Sequence, residues 1–304
     1  MSGARQFLRN HGFDTINTIL LVLFSLLMIY PLYQCLIISF SSGVDIMNRG
    51  VVYLWPRVFS ARSYVRVLQD EGFLLYARNS VLRTVLGAFV SVLITSMFAY
   101  AILHRKLRLR GLFAILGLIT MYFNGGMIPT FIVIRDLGLY DNFLVYILPE
   151  AFNMFYVLVF LAYFKSIPDA LEESALVDGA SEITIYFRIM LPVIKPVVAC
   201  IVLFVAVFQW SMWVDTMIYT DSESLEVLSF YFAQILIRQQ FIATTVMQET
   251  DAQMTDAELQ SLKEASSLTM QMATMLITVV PIMCIYPFLQ KHFVKGIMIG
   301  SVKG

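Results

Sequence analysis

Few side chains in this sequence have the types and spacing that catalysis requires. No G-x-x-x-x-G-K-[ST] phosphate-binding loop occurs, so the chain should not hydrolyse ATP by itself. The histidines, His11, His104 and His292, stand singly, and no H-E-x-x-H zinc motif is present. The three cysteines are far apart within apolar runs, which argues against a disulfide framework and against a zinc site. We therefore expect no enzyme, with no catalytic residue, metal site or cofactor on this chain.

One stretch with an acidic pair, a turn and an amphipathic segment interrupts the otherwise apolar sequence. It runs from Glu172 to Pro192 and reads EESALVDGASEITIYFRIMLP. Its pattern predicts a short helix, a turn at Gly179 and a second short helix that ends at Leu191-Pro192. Glycine suits such a turn because it adopts a positive φ at little cost. Two helices this short cannot stabilise themselves in isolation. The stretch is either a hairpin made for a partner surface or an ordinary helical connection.

The composition of the whole chain favours a membrane protein. Of its 304 residues, 59% are hydrophobic and 14% are charged. Soluble domains have about 45–50% apolar and about 25% charged residues. The high apolar fraction and the low charged fraction of this chain both indicate that lipid surrounds it. The formal net charge is zero, which gives no sign of a nucleic-acid partner.

Six segments are apolar and long enough to cross the bilayer as helices, since about 20 residues are needed. We therefore predict an all-α, polytopic membrane protein with a single transmembrane domain over residues 1–304. Its long outer loops would be 41–80 and 220–267, and its hairpin would lie in an inner loop, 165–195. The six predicted spans are approximately 16–40, 81–103, 111–134, 144–164, 196–219 and 268–289.

The positions of lysine and arginine predict the orientation. One side of the six spans holds twelve of these residues and the other holds eight, most of them in the two long loops. Basic residues in short flanks favour the cytoplasmic side, whereas those in long loops count for less. The hairpin and both termini are therefore predicted to be cytoplasmic.

Three motifs in order along nearly the whole chain resemble a known family. The hairpin pattern resembles the EAA loop of binding-protein-dependent ABC importer permeases, with serine in place of the usual alanine at its second position. The stretches 123–142 (FNGGMIPTFIVIRDLGLYDN) and 290–304 (QKHFVKGIMIGSVKG) resemble sugar-importer permeases of the maltose-type superfamily, in the branch named for lipoprotein-associated polysaccharide uptake. The residues of the first motif are Glu173, Ser174, Ala175, Gly179, Ile189, Leu191 and Pro192.

The resemblance implies a set of partners and a location. The hairpin would be the coupling helix that sits in a cleft of a cytoplasmic ATPase subunit. A second homologous permease, two ATPase subunits that bind ATP and Mg, and an extracytoplasmic solute-binding protein would complete an importer of oligosaccharides or polysaccharide fragments in a bacterial cytoplasmic membrane. The expected ATPase-coupling residues are Glu173, Ser174, Ala175, Asp178, Gly179, Ile189, Leu191 and Pro192.

Contact with the sugar is expected at the end of the fifth span. Trp210 and Trp213 are three residues apart, which would place them on one helix face. Aromatic rings suit the apolar face of a sugar, and Asp215 could accept hydrogen bonds from its hydroxyl groups. An aromatic belt at the membrane interface is the alternative.

The third span contains Asn124-Gly125-Gly126, with Pro129 close behind. A broken helix that lines a substrate path would explain these residues, because unpaired backbone survives at membrane depth only beside protein or water. A packing kink is equally compatible with them, since glycine and proline are common in membrane helices.

The outer loop 220–267 is acidic, and two interpretations remain open for it. It could be solvated surface, or it could dock the external solute-binding protein. A stand-alone secondary transporter is the alternative to an importer subunit, and it would predict paired intramembrane acids or an inverted repeat, neither of which is evident. A membrane-bound enzyme is disfavoured because no catalytic constellation is present.

Overall fold

A computed structural model of the protein describes residues 2–51, 54–104, 107–237 and 268–300. Within these ranges the chain is helical, and the backbone forms no β-strand beyond a single bridge between Ser41 and Phe59. The predicted all-α class is therefore confirmed. The helices are α1 (Ser2–Ser39), α2 (Gly43–Arg49), α3 (Arg62–Leu68), α4 (Phe73–Leu103), α5 (Arg110–Tyr122), α6 (Met127–Asp136), α7 (Met154–Phe164), α8 (Asp169–Val177), α9 (Glu182–Val193), α10 (Lys195–Ser211), α11 (Val214–Tyr219), α12 (Leu228–Ile237) and α13 (Leu268–Gly300).

Three helices of the described chain are long and apolar enough to cross a membrane, in the segments Phe13–Ser39, Phe73–Leu103 and Leu268–Ile285. Two bent pairs also have the necessary length and composition. Helices α7 and α8 meet at 80°, and helices α9 and α10 meet at 84°. The number of spans on this criterion is three, or up to five if each bent pair is one span.

The predicted third span is divided into α5 and α6 by residues 123–126. Gly126 has φ +87°, which a residue with a side chain rarely adopts, and Asn124 Oδ1 accepts the Gly126 N–H at 2.9 Å. Pro129 lies in the first turn of α6, where its missing N–H costs nothing. The local sequence thus interrupts the helix and starts another.

Two compact units make up the chain. The first comprises Met1–Asp70 with Ile235–Ile277. In it, the ring of Phe40 at the end of α1 stacks on Phe59 with 5.4 Å between centroids, and Ser39 Oγ lies 2.8 Å from the hydroxyl of Tyr64. These contacts fix α3 against the end of α1.

The second unit, Glu71–Gln234 with Thr278–Gly304, contains the hairpin and is organised around α4. Helix α4 packs along α7 and α10 through a face that is rich in small residues, which allow backbones to approach closely. A Cβ added to Gly87 would lie 2.7 Å from Gln209 Nε2 of α10, so this crossing depends on glycine. The buried core between these helices includes Ala88, Val92, Val157, Phe160, Val197 and Ile201.

Candidate functional site

The hairpin between α8 and α9 is closed by a backbone turn at Gly179. Gly179 has φ +79°, as the sequence predicted. The Ala180 N–H donates to the Ala175 carbonyl at 3.0 Å, and the Gly179 N–H donates to the Leu176 carbonyl at 3.1 Å. This pair of bonds is the Schellman arrangement, which needs a left-handed residue after the helix end. Ser181 then caps α9, because its Oγ accepts the Thr184 N–H at 3.3 Å.

The inner face of the hairpin belongs to the core of its unit. Ala175, Ile185 and Met190 are buried in the same cluster as Phe164 of α7. Tyr186 is also buried, and its hydroxyl lies 2.7 Å from Ser96 Oγ on α4. The hairpin is therefore held firmly on one side.

The tip of the hairpin is exposed and carries large apolar residues beside the polar residues Asp178 and Ser181. Val177 is 88% exposed and Ile183 is 68% exposed, although both are large hydrophobic residues. They stand on either side of the Gly179 turn, and Leu176 is exposed beside them. Exposed apolar residues rimmed by polar ones are typical of a protein or membrane contact.

Helix α9 is irregular where it approaches α10. Residues Tyr186–Met190 form wide π turns, and the chain bends by 84° between α9 and α10. Pro192 has no N–H to donate, so it interrupts the regular hydrogen-bond ladder at this point. The bend sets the hairpin across the end of α10.

His104, the residue that follows α4, lies between the two hairpin helices. Its Nδ1 is 3.3 Å from Glu172 Oε1 of α8, and its Nε2 is 2.9 Å from Glu182 Oε2 of α9. Among the described residues these three form the one group with atoms close enough for a metal ion, within 4.8 Å of one another. The two carboxylates approach opposite nitrogens of the ring, however. A histidine binds one metal ion through a single nitrogen, so contacts at both nitrogens do not match a single metal site. Both contacts lie within ion-pair distance, but Nε2 has no hydrogen-bond partner within the described part of the chain.

Asp215, a predicted sugar contact, pairs with a buried arginine of α4. Arg83 is 1% exposed, and its Nη2 lies 2.5 Å from Asp215 Oδ2 while its Nη1 lies 3.3 Å from Oδ1. Gln209 Oε1 accepts from Arg83 at 3.2 Å, and the guanidinium lies over the ring of Tyr146, 4.4 Å from its centroid. The Asp215 carboxylate is therefore occupied within the protein and holds α11 against α4.

The two tryptophans do not share a helix face. Helix α10 ends at Ser211 and α11 begins at Val214, so the spacing argument for Trp210 and Trp213 is wrong. The fifth predicted span is interrupted at Met212 and Trp213, where the chain leaves the helical conformation. Trp210 Nε1 donates to the Thr278 carbonyl of α13 at 2.7 Å, and both indoles are half-buried. Because of this break, the three-residue spacing does not relate the directions of the two tryptophan side chains.

At the end of α11 away from the hairpin, Asp141 ties two loops together. Its carboxylate accepts bonds from Ser222 Oγ at 2.5 Å, from the Ser222 N–H at 2.9 Å and from the Asp221 N–H at 3.0 Å. These bonds favour the ionised carboxylate, so they lower the pKa of Asp141 below its ordinary value. A hydrogen bond to Asp221 raises the pKa of the neighbouring Tyr140.

Comparison with known proteins decides the family. No family model matches the chain. The sequence is 33% identical over 297 residues to the polygalacturonan/rhamnogalacturonan transport system permease protein YtcP of Bacillus subtilis, which covers 98% of this chain and 100% of the relative. Protein LplC of the same organism is 34% identical over 292 residues, 96% of this chain and 95% of the relative. The chain belongs to the family of carbohydrate ABC importer permeases. The resemblance of the three sequence motifs is thereby confirmed.

A solved structure supports the assignment of this chain to the ABC importer permeases. It is a chain of a bacterial ABC transporter involved in the import of the acidic polysaccharide alginate. The two chains are 30% identical and superpose with a TM-score of 0.79, over 94% of this chain and 98% of that one. The helical arrangement described above is thus shared with an importer.

The predicted coupling residues of the permease fall into an exposed set and an inner set. Ala175 is buried, and Ile189 and Leu191 are half-buried against the core. The remaining predicted residues are exposed, and they are Glu173, Ser174, Asp178, Gly179 and Pro192. The motif therefore combines residues that anchor the hairpin with residues that are free for a partner.

Sequence reasoning missed His104 and Arg83. Arg83 had a usable signal, because an arginine inside an apolar span requires a partner. His104 had none, since Glu172 and Glu182 are distant in sequence and only the fold brings them to it. Asn124 is exposed, and its side chain shapes the turn before α6. The acidic residues from 238 to 267, in the predicted outer loop, lie outside the described residues.

Proposed function

We propose that this ABC permease is one of two homologous membrane subunits that carry an oligosaccharide or polysaccharide fragment across a bacterial cytoplasmic membrane. Its six spans would be α1, α4, α5 with α6, the segment 144–164 that ends in α7, α10 with α11, and α13. The excess of basic residues in the short flanks on the hairpin side supports cytoplasmic termini and a cytoplasmic hairpin.

The exposed tip of the hairpin is the observation that carries the coupling role. We infer that Val177 and Ile183 enter a cleft of an ATPase subunit, while the buried inner face transmits the resulting force to the core. A surface that is rigidly anchored on one side and apolar on the other is suited to a protein partner. ATP and Mg would bind to the two ATPase subunits and not to this chain.

The carbohydrate class of the cargo is supported by the names of the relatives. These concern polygalacturonan or rhamnogalacturonan transport and alginate import, and both relatives match nearly the whole chain. An extracytoplasmic solute-binding protein would deliver the sugar. We propose that Trp210, Trp213 and Asn124 lie along its path, and that Asp215 contributes by positioning Arg83 and α11.

Purification with and without partners tests this function. The complete complex in proteoliposomes should take up oligosaccharide and hydrolyse ATP, whereas the chain alone should do neither. Glu173 is exposed on α8, so Glu173→Lys should weaken retention of the ATPase without changing membrane insertion. A fully active lone chain would instead favour a secondary transporter and reject the importer subunit.

A further inference from the structure

We propose that a cavity beside α3 binds the carboxylate of an acidic sugar through Arg62 and Arg66. The cavity has a volume of about 210 Å³ and lies among α3 and the first residues of α2 and α13. This inference rests on the proposed function, because it names acidic oligosaccharides as the class of cargo that the permease accepts. The polar residues that line the cavity with the two arginines are Ser42, Ser60, Ser63 and Thr269.

The cavity has an excess of positive charge. Arg62 and Arg66 are four residues apart in α3, which places their side chains on one helix face. Two like charges at this spacing slightly destabilise a helix. Neither arginine forms an ion pair with a residue that the structure describes, and the described lining of the cavity contains no acid. An anion bound between the two guanidinium groups would offset their repulsion.

Other arginines of the same segment have partners. Arg49 Nε lies 3.8 Å from Asp45 Oδ1, and Arg57 Nη1 lies 3.6 Å from Asp45 Oδ2. These two arginines therefore serve the structure of the segment between α1 and α4. Arg62 and Arg66 differ from them, since both side chains are exposed at a cavity and available to a ligand.

The walls of the cavity are fixed independently of the guanidinium groups. The Ser60 N–H donates to the Phe40 carbonyl at 2.8 Å, which holds the start of α3 against the end of α1. Ser63 Oγ donates to Thr269 Oγ1 at 3.0 Å, which joins α3 to the first turn of α13. A site whose walls are already ordered binds its ligand at a lower entropic cost.

The chemistry of the wall favours a carboxylated sugar over other anions. A guanidinium binds a carboxylate through two parallel N–H bonds, and neighbouring hydroxyl groups donate to and accept from the hydroxyls of a sugar. A lipid headgroup would bring acyl chains, for which this wall offers Val44 and Met270 as apolar residues. A protein partner covers about 800 Å² on each side, much more than such a cavity presents.

The position of the cavity suits selection of the cargo. In the proposed orientation α3 belongs to the outer segment between the first two spans, on the side from which the sugar arrives. Pockets that enclose a drug-sized ligand measure roughly 300–1,000 Å³, so this smaller cavity takes one sugar unit and leaves the rest of the oligosaccharide outside. The two arginines would thereby favour cargo that carries a carboxylate.

The test is binding of a galacturonate trisaccharide to the purified complex with its partner permease and ATPases, measured by calorimetry without the binding protein. Arg62→Gln and Arg66→Gln should each weaken binding at least about tenfold, as expected for loss of a charge-assisted hydrogen bond. Glutamine is a good helix former, so α3 should persist. Arg49→Gln is the matched control, because Arg49 belongs to the same segment but pairs with Asp45, and it should leave the affinity unchanged.

The methyl ester of the same trisaccharide separates charge from shape. It keeps the sugar rings and removes the negative charges, so it should bind the wild type more weakly than the acid does and bind Arg66→Gln about as well as it binds the wild type. Raised salt should weaken binding of the acid and leave that of the ester unchanged. Equal affinity of the wild type for acid and ester would overturn the inference.

Four other outcomes would also overturn it. Unchanged affinity for the acid in both Arg62→Gln and Arg66→Gln would place the acidic sugar elsewhere, while ATP-dependent uptake by the same complexes would leave the proposed function standing. An anionic phospholipid that copurifies with the wild type and is lost in Arg66→Gln would assign the cavity to a lipid headgroup. Slower docking of the binding protein in both variants, with unchanged sugar affinity, would assign it to that protein. Glu264 stands five residues before Thr269 in the sequence, and trisaccharide binding that occurs only in Glu264→Gln would mean that a carboxylate of this chain fills the cavity.

Discussion

At the scale of single residues, the buried pair of Arg83 and Asp215 is expected to have a large effect on stability. Both side chains are buried and joined by two contacts, with Gln209 as a further acceptor. Removing one partner of such a pair leaves an uncompensated buried charge, at a cost of about 3–5 kcal/mol. We expect Asp215→Ala to lower the thermal unfolding midpoint of the purified complex and its level in membranes.

The matched control for that change is Asp136→Ala. Asp136 pairs with Arg135 at the surface, where both side chains are more than half exposed, so its loss should cost no more than about 1 kcal/mol. If the Asp215→Ala complex unfolds at the same midpoint as the wild type but has lost sugar uptake, Asp215 is a direct sugar contact instead.

At the scale of elements, the crossing of α4 and α10 depends on Gly87. Its substitution by alanine sets a Cβ within 2.7 Å of Gln209 Nε2, and Gln209 is buried and bonded to Arg83 and to the Tyr146 carbonyl. Overpacking of this kind costs about 1–3 kcal/mol. Gly87→Ala should therefore reduce the unfolding midpoint of the complex.

Gly111→Ala serves as the comparison for Gly87→Ala. Gly111 lies in α5 with nothing within 4 Å of an added Cβ, so alanine should be neutral or slightly stabilising there. Equal midpoints for the two variants would show that Gln209 moves aside freely and that the crossing tolerates a methyl group.

The hairpin provides a second prediction at this scale. Gly179 has φ +79° with open space around its Cβ position, so a larger residue there is resisted by backbone conformation rather than by collision. Gly179→Val should insert normally but lose sugar uptake, because α8 and α9 are reoriented. Uptake and ATPase retention on purification are the measurements.

Gly138→Val controls for backbone strain in general. Gly138 has φ +70° and is equally open, but it lies after α6 and outside the hairpin. The Gly138→Val variant should lower the stability of the complex about as much as Gly179→Val does, while the ATPases remain bound. Normal uptake by Gly179→Val at normal membrane levels would contradict the coupling role of the hairpin.

At the scale of the whole molecule, docking of the binding protein is expected to be electrostatic. The segment between α12 and α13, which the sequence predicts to belong to an outer loop, carries Asp251, Asp256 and Glu258 and is rich in acids. Neutralising these three together should slow association with the binding protein, and the effect should shrink at high salt. Stopped-flow docking at two ionic strengths measures this. Identical rates before and after the change, at both salt concentrations, would assign the loop to solvated surface.

The sequence by itself determined the class of the protein, the family and the turn of the hairpin. Apolar runs, basic flanks and the spacing around Gly179 are local properties, and each follows from residues that are close in the chain. The positive φ of Gly179 was predictable for this reason, because few residues other than glycine tolerate it.

Only the tertiary structure decided which polar side chains meet. Arg83 and Asp215 are 132 residues apart, and His104 is brought to Glu172 and Glu182 by the bends at both ends of the hairpin. The break between Trp210 and Trp213 likewise overrode the helical spacing. A buried charge is stable only beside a partner, and that partner is chosen by how the helices cross rather than by the sequence around either residue.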